Sequence, residues 1–240
     1  MTLTTPHHNI PRHTIKFTGA NWLTLVGIGL LMGSCTPHLR QGNLFGSAKL
    51  LKPSDYKEVL NTWTRSAKIY QALDSRIFLT ATFHAPEFRR VFALAFPDIY
   101  GHGGEITRRE LVELSGDVEQ YLNFFVSAYT PSIRWNDLAK EDSIWRLELE
   151  GSNGVIVSPS EIIQVKIDAN LKAVYPYIDT FDMGYLVRFR LTDPMNRLVA
   201  TPQSKFIKMR IVSALGRAEL KWQLTTSIPK RSPKVNFFGG

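Results

Sequence analysis

The stretch that decides the fold is residues 143–157, which read SIWRLELEGSNGVIV. Runs rich in apolar residues stand on either side of Asn153-Gly154, a dipeptide that is typical of tight hairpin turns because both positions tolerate positive φ. The pattern predicts strands over 143–150 and 155–167, with a break at Pro159 because proline donates no ladder hydrogen bond.

Further short strands are predicted on both sides of this hairpin, over 76–83, 122–129, 184–191, 204–213 and 218–224. Alternation is clearest where Tyr185, Val187 and Phe189 take turns with Leu186, Arg188 and Arg190. Short strands at such spacing indicate a sandwich. The predicted class is therefore α+β and mainly β: an antiparallel β-sandwich of immunoglobulin-like architecture. The cysteine–tryptophan–cysteine signature of antibody domains is absent from it.

Three helices are predicted beside the strands: an N-terminal helix over 54–72 and an inserted pair over 86–96 and 108–121. The first has apolar residues at helical spacing, namely Tyr56, Val59, Leu60, Trp63, Ala67 and Tyr70. Proline fits the first turn of the second helix, and Pro97 is expected to end it. These elements predict a single globular domain over 53–225, followed by a basic flexible tail over 226–240.

Composition excludes a disordered chain, because 44% of the 240 residues are hydrophobic and 11% are aromatic. The formal net charge is +8 at pH 7. Only Arg12 and Lys16 precede Cys35, so the chain from Cys35 onward carries 27 basic and 21 acidic residues, a net charge of +6. Such a surface favours anionic neighbours, although an ordinary protein of high pI has the same balance. No nucleic-acid-binding module accompanies the charge, so no specific nucleic-acid partner is expected.

The amino-terminal segment has the layout of a secretory signal. Arg12 and Lys16 flank an apolar run over 23–32, and the small residues Gly33 and Ser34 follow it. The apolar run is shorter than the roughly 20 residues that a spanning helix needs. We therefore predict a signal peptide over 1–34.

The end of this segment, Met32-Gly33-Ser34-Cys35, resembles the bacterial lipobox. The resemblance implies cleavage before Cys35, fatty-acyl chains on that cysteine and anchoring in membrane lipid, with residues 35–52 as a tether. It also implies export, and Thr36 after the cysteine favours the outer membrane, with the domain in the periplasm. The alternative is a stray thiol after an ordinary signal peptide or a signal anchor. Cys35 is the only cysteine, so no disulfide can form within the chain.

The segment over 129–138 is the best candidate for partner binding, because it places Arg134, Trp135, Asn136 and Asp137 in a polar loop between strands. Tryptophan and arginine are favoured in recognition hot spots. The alternative is that Trp135 folds back over one end of the sandwich, while Asn136 and Asp137 bond nearby backbone. Trp145 and Trp222 lie within strands and are expected in the core.

No catalytic, metal or cofactor site is predicted. His38, His84 and His102 lack the local spacing of a zinc site, and no nucleophile elbow or phosphate-binding glycine loop occurs. Asp137, Glu141 and Asp142 are the carboxylates that could do acid–base work in a cleft, whereas a solvated loop is the ordinary interpretation of such a cluster.

Three segments together resemble predicted lipoproteins of unknown function in Gram-negative bacteria: residues 73–78, 134–137 and 143–147. The leading hypothesis is a lipid-anchored, non-enzymatic envelope protein with a binding or structural role toward an envelope protein partner. One alternative is a cell-envelope enzyme that acts on glycan or cell-wall substrate through carboxylates. The other is a binder of anionic polymers.

Overall fold

The computed structural model describes residues 41–42, 51–100 and 120–224. The strands are β1 (Gln41–Gly42), β2 (Thr64–Gln71), β3 (Asp74–Phe83), β4 (Tyr121–Tyr129), β5 (Arg146–Gly151), β6 (Ile156–Val157), β7 (Pro159–Val165), β8 (Met183–Arg190), β9 (Phe206–Ser213) and β10 (Gly216–Leu224). The helices are α1 (Tyr56–Trp63), α2 (Pro86–Tyr100) and α3 (Ala169–Val174), and two 3-10 turns span Pro53–Asp55 and Ile133–Trp135.

The strands form two five-stranded sheets. The first sheet has the order β1-β10-β9-β5-β6 and the second has the order β2-β3-β4-β8-β7. Neighbouring strands are antiparallel throughout, apart from the short parallel pair of β1 and β10. The prediction of a mainly β fold with antiparallel sheets is confirmed, and the arrangement is that of a β-sandwich.

The Asn153-Gly154 hairpin is also confirmed. Gly154 has φ +80°, which a side chain would disfavour, and its N–H donates to the Gly151 carbonyl at 3.0 Å. Beyond the turn, Val157 pairs with Leu149. The predicted break at Pro159 separates two strands of different sheets, because β6 pairs with β5 and β7 pairs with β8.

The helix predicted over 54–72 is wrong in its second half. Residues 64–71 form β2, which pairs with β3 across a turn in which Ala72 has φ +55°. Val59, Leu60 and Trp63 are buried as predicted, but Tyr70, assigned to the same helical face, is 56% exposed. The helical spacing therefore continued by coincidence into a segment whose backbone bonds are satisfied by β3.

The other differences concern boundaries. Helix α2 continues through Pro97, because proline removes one backbone donor without preventing the next residues from keeping helical angles. The predicted helix over 108–121 lies outside the described residues except for its end, where Tyr121 already begins β4. The predicted tether contributes β1 and buried Leu51 to the domain, and α3 was missed because it has only six residues. The predicted tail over 226–240 lies outside the described residues.

The core lies between the sheets and is dominated by aromatic rings. Phe124 of β4 lies 4.7 Å from Phe83 and 5.2 Å from Trp222 of the first sheet, centroid to centroid. Trp222 is fully buried and its Nε1–H donates to the Trp63 carbonyl at 2.8 Å. Trp145 is buried as well, so both tryptophans predicted for the core are confirmed there.

The outer face of the second sheet is partly covered by the helices. Phe125 points away from the first sheet, since its neighbours in β4 point into the core, and it stacks on Tyr175 at 4.1 Å. The Tyr175 hydroxyl lies 2.9 Å from Nε2 of His84, and Phe88 of α2 packs on the same tyrosine. This cover ends toward β2 and the start of β3, where side chains of the second sheet stay partly exposed.

Candidate binding surface

A pocket opens at the end of the second sheet, between the β2–β3 turn and the loop that follows β4. Its volume is about 320 Å³. It is lined by Asp74, Ser75, Arg76, Pro131, Ser132 and Trp135. We call it the Trp135 pocket, because the half-buried tryptophan forms its wall at the end of the 3-10 turn Ile133–Trp135.

Arg76 is the main charged group in the Trp135 pocket. Its guanidinium carbon lies 5.9 Å from the centre of the Trp135 ring, which is a cation–π contact. One Nη lies 3.5 Å from the Asp74 carboxylate, which is mostly exposed. Its Nε is buried, and no described residue accepts a hydrogen bond from it. Arg76 therefore has donor capacity that the described protein does not use.

The four residues predicted for partner binding have different environments. Arg134 is exposed and Trp135 faces the pocket, whereas Asn136 is buried. Asn136 donates through Nδ2 to the Ala128 carbonyl at 2.7 Å and accepts the Tyr185 hydroxyl at 3.0 Å through Oδ1. Asn136 therefore stabilises the fold and is not available to a partner, whereas Arg134 and Trp135 are accessible.

Burial raises the pKa of Tyr185 to about 12, so its hydroxyl remains a donor to Asn136 at physiological pH. Asp137 accepts a hydrogen bond from Ser143 Oγ at 2.9 Å. The carbonyl of Trp135 accepts from Trp145 Nε1 at 2.7 Å. The loop is therefore tied to the core at three points, and the backbone that carries the Trp135 ring is held in place.

Next to the pocket, three aromatic side chains cross β2, β3 and β4 on the outer face of the second sheet. Tyr70 and Phe78 have ring centroids 5.9 Å apart, and Phe78 and Tyr129 have centroids 5.8 Å apart. We call Tyr70, Phe78 and Tyr129 the aromatic row. Lys68 lies on the same face, with Nζ 4.7 Å from the Phe78 ring centre. Arg76 and Phe78 are two residues apart in β3, so they share this face and join the row to the pocket.

Strand alternation places Tyr70 in the row. Lys68 pairs with Phe78 on the outer face, and Tyr70 follows Lys68 by two residues. Ile69 is buried in the core while Tyr70 points to solvent beside Phe78. The register shifts between Ile69 and Tyr70, so that Tyr70 pairs with Ser75 at the edge of the pocket. The alternation of Arg76 and Phe78 with Ile77 and Leu79 was the signal that could have identified the row. It was missed because residues 64–71, which form β2 and supply Tyr70, were predicted to be helical.

Large apolar side chains surround this end of the second sheet. Leu73, in the β2–β3 turn, is 100% exposed and Ile133 is 80% exposed. Phe181 is exposed in the loop that leads into β8, whose first residue pairs with Ala128 at the same end of the sheet. Clustered exposed apolar side chains of this kind mark interaction sites.

A second cavity, of about 580 Å³, lies between β5 and β7. Its acidic residues include Glu148, which pairs with Arg210 at 2.9 Å, and Glu161, which pairs with Arg188 at 3.4 Å. Of the carboxylates considered for acid–base work, Glu141 also lines this cavity but is exposed, Asp142 is exposed and Asp137 is half-buried. Catalysis by these groups stays a hypothesis.

His84 is the histidine that the structure describes, since His38 and His102 lie outside the described residues. Burial, and secondarily the charge of Arg89, lowers the pKa of His84 to about 3. The neutral ring packs on Phe88 and shares a hydrogen bond with Tyr175. Among the described residues, no cluster of three His, Cys, Asp or Glu side chains could hold a metal ion.

The residues of the predicted anchor, Cys35 with Met32, Gly33 and Ser34, lie outside the described residues. Within the ranges that the structure describes, no helix is both long and apolar enough to cross a membrane. No protein-family model, curated protein or solved structure matches the chain.

Proposed function

We propose that this chain is a lipid-anchored envelope protein with a non-catalytic binding role, and that it binds its partner through the Trp135 pocket and the aromatic row. The supporting observation is Arg76, which lies on the Trp135 ring and lines the pocket beside it. Leu73 and Ile133 extend the surface with exposed apolar contacts. Arginine and tryptophan at the centre of an exposed apolar patch are the composition of a recognition hot spot.

The position of this surface in the fold agrees with an anchor at Cys35. Residues 41–42 pair with Gln223 and Leu224 at the end of β10. Beside β10 runs β2 in the opposite direction: Arg65 Nε donates to the Lys221 carbonyl at 2.9 Å, and Ile69 lies against Gly216. The chain therefore enters the domain at one end, and the β2–β3 turn lies at the other.

Gln41 follows Cys35 by six positions, and a fully extended chain spans about 20 Å over that distance. If Cys35 is anchored in the membrane, the end of the domain that contains α1 and the last residues of β10 stays near that membrane. The Trp135 pocket then lies at the end of the domain opposite to the point of attachment, where a partner has access to it.

The immunoglobulin-like architecture belongs to the same proposal. It is supported by the path of the chain, which passes from one sheet to the other after β1, β4, β6 and β8. Crossings of this kind are the connections of Greek-key sandwiches.

The anchor is tested by membrane fractionation and intact mass of the wild type and of Cys35→Ala. We expect wild type in the membrane fraction, without residues 1–34 and with the added mass of acyl chains. Cys35→Ala is expected to lose the acyl mass. A Cys35→Ala chain that remains membrane-bound with residues 1–34 attached would identify a signal anchor instead.

The binding surface is tested by photo-cross-linking in intact cells. A photoreactive residue at Ile133 is compared with one at Met195, which is equally exposed but follows β8 at the opposite end of the second sheet. We expect adducts from position 133 and not from position 195. Adducts of equal yield from both positions, or from neither, would rule out this surface as the binding site.

A further inference from the structure

We propose, on the basis of the proposed function, that the ligand of this surface is a chain of acidic sugars. The aromatic row would stack on successive sugar rings, and the Trp135 pocket would hold one sugar that carries a carboxylate or phosphate. Three features of the surface support this ligand class: the row of rings, the charge and the composition of the pocket.

The aromatic row suits an extended ligand. Its three rings come from three neighbouring strands, and consecutive centroids lie 5.9 and 5.8 Å apart. The ring planes are tilted to each other by 58° and 45°, so a ligand that follows the row must turn from one ring to the next. Tyrosine rings combine an apolar face with a polar hydroxyl, so they contact the C–H face of a sugar while they bond its hydroxyl groups. A single sugar chain that crosses the strands can cover all three rings.

The charge of the surface favours an anionic ligand. Lys68 lies over the Phe78 ring, Arg76 lies over the Trp135 ring and Arg134 is exposed in the adjoining turn. Asp74 is the acidic residue among the six that line the pocket. A carboxylate or phosphate oxygen would accept from the Nη groups of Arg76, whose side chain is 21% exposed, and such charge-assisted bonds are the strong ones. The charge of the whole chain, +8, has the same sign.

The Trp135 pocket has the size and chemistry for one sugar. Its volume of about 320 Å³ is at the small end of ligand sites. Trp135 and Pro131 supply apolar contact, while Ser75 and Ser132 place hydroxyl groups beside Arg76. An apolar wall with a few polar groups near one charge is the general composition of small-ligand sites.

The test is binding of the purified full-length protein in detergent to four soluble polymers, measured by calorimetry at low and high salt. Polygalacturonate carries carboxylates and phosphomannan carries phosphates, while dextran and mannan are their neutral counterparts. We expect one or both acidic polymers to bind, with affinity that falls as salt rises, and the neutral ones not to bind. The preferred acidic polymer identifies the anionic group.

Substitutions separate a built site from general attraction. The double variant Tyr70→Ser/Arg76→Gln is expected to bind about tenfold more weakly or worse, because it removes one stacking ring and the pocket cation. The matched control is Lys221→Gln, since Lys221 also lies over a ring, 4.1 Å from the centre of Phe206, but on the first sheet. It changes the net charge by the same amount and is expected to bind within about twofold of wild type. Circular dichroism of each variant checks that it is folded.

Three results would overturn the proposal. The first is equal affinity of the double variant and the wild type for the acidic polymers. The second is a loss of affinity in Lys221→Gln as large as that in the double variant. The third is failure of both acidic polymers to bind the wild type. In the cross-linking experiment above, a discrete protein adduct at position 133 without polymer binding would reject the sugar ligand and support the proposed function. If that position gives no adduct, the proposed function itself fails.

Discussion

On the outer face of the first sheet, Lys208 lies against two carboxylates, whereas Lys68 and Arg76, on the outer face of the second sheet, lie against aromatic rings. Lys208 of β9 bonds Glu150 of β5 at 3.1 Å and Glu219 of β10 at 3.2 Å. In the second sheet, Lys68 and Arg76 lie over Phe78 and Trp135. Both faces use three neighbouring strands with the same alternation of inward and outward side chains.

This difference indicates which of the two faces has cations available to bind an anionic ligand. The hydrogen bond to Glu150, followed by that to Glu219, raises the pKa of Lys208, so this cation is satisfied within the protein. Lys68 and Arg76 have weaker internal partners, because Lys68 lies over the Phe78 ring and Arg76 lies 3.5 Å from the mostly exposed carboxylate of Asp74. A face whose charges are already paired has little to offer an anionic ligand, while a face of rings and incompletely paired cations does.

Both faces depend on one core, so the largest effect is expected from breaking it. Trp222→Ala removes a fully buried ring and a hydrogen bond to the Trp63 carbonyl. We expect a loss of about 3–5 kcal/mol in the free energy of unfolding, measured by urea denaturation. Trp222→Phe, which keeps most of the apolar contact, is the control and should lose clearly less. A loss below about 1 kcal/mol in Trp222→Ala would contradict a shared core.

The layer behind the second sheet is expected to be acid-sensitive through His84. Its pKa is about 3 in the folded protein, against an ordinary value near 6.5, so between these values the unfolded chain binds the additional proton. The stabilisation is fully present above about pH 6.5 and is lost as the pH falls toward 3.

Between about pH 6.5 and pH 5 the expected loss is about 2 kcal/mol. Urea unfolding at both pH values measures it. His84→Gln, which does not titrate, is the control and should lose much less over the same range. Equal pH dependence in both proteins would show that His84 is not the responsible group.

The loop that carries Trp135 can be loosened without touching the ring. Asn136→Ala removes the donor to the Ala128 carbonyl and one acceptor of the Tyr185 hydroxyl. We expect a loss of about 1–3 kcal/mol in the free energy of unfolding, measured by thermal denaturation. Arg134→Ala, in the same loop but exposed, is expected to stay within about 0.5 kcal/mol of wild type. If the two variants behave alike, Asn136 does not hold the loop.

The smallest effects distinguish the two outer faces by their response to salt. Lys208→Met breaks two ion pairs and is expected to cost about 0.5–1 kcal/mol at low salt, decreasing in roughly 1 M sodium chloride. Lys68→Met removes a cation from an exposed ring and is expected to cost about 0.5 kcal/mol or less. Urea unfolding at both salt concentrations gives the comparison. A larger, salt-dependent loss in Lys68→Met would mean that Lys68 has a carboxylate partner.

Much of the fold could be predicted, because most strands carry their own local signal. Tyr185, Val187 and Phe189 alternate with side chains of the other face, and Asn153-Gly154 specifies a turn by its backbone preferences. The prediction failed at residues 64–71, where apolar spacing also fits a helix. There the outcome depended on β3, which satisfies the backbone of that segment.

For the candidate surface, the sequence by itself singled out Trp135 and Arg134 as a tryptophan and an arginine in a polar loop. It determined the strands, the hairpin and the aromatic residues for the core, since these depend on the period of apolar side chains and on turn preferences. Only the tertiary structure decided that Asn136 is buried and that Arg76 lies on Trp135. It also decided that Tyr70, Phe78 and Tyr129 form one row. The physical reason is that neighbours across strands are set by register and by a bulge between Ile69 and Tyr70, and neither is a property of any single segment.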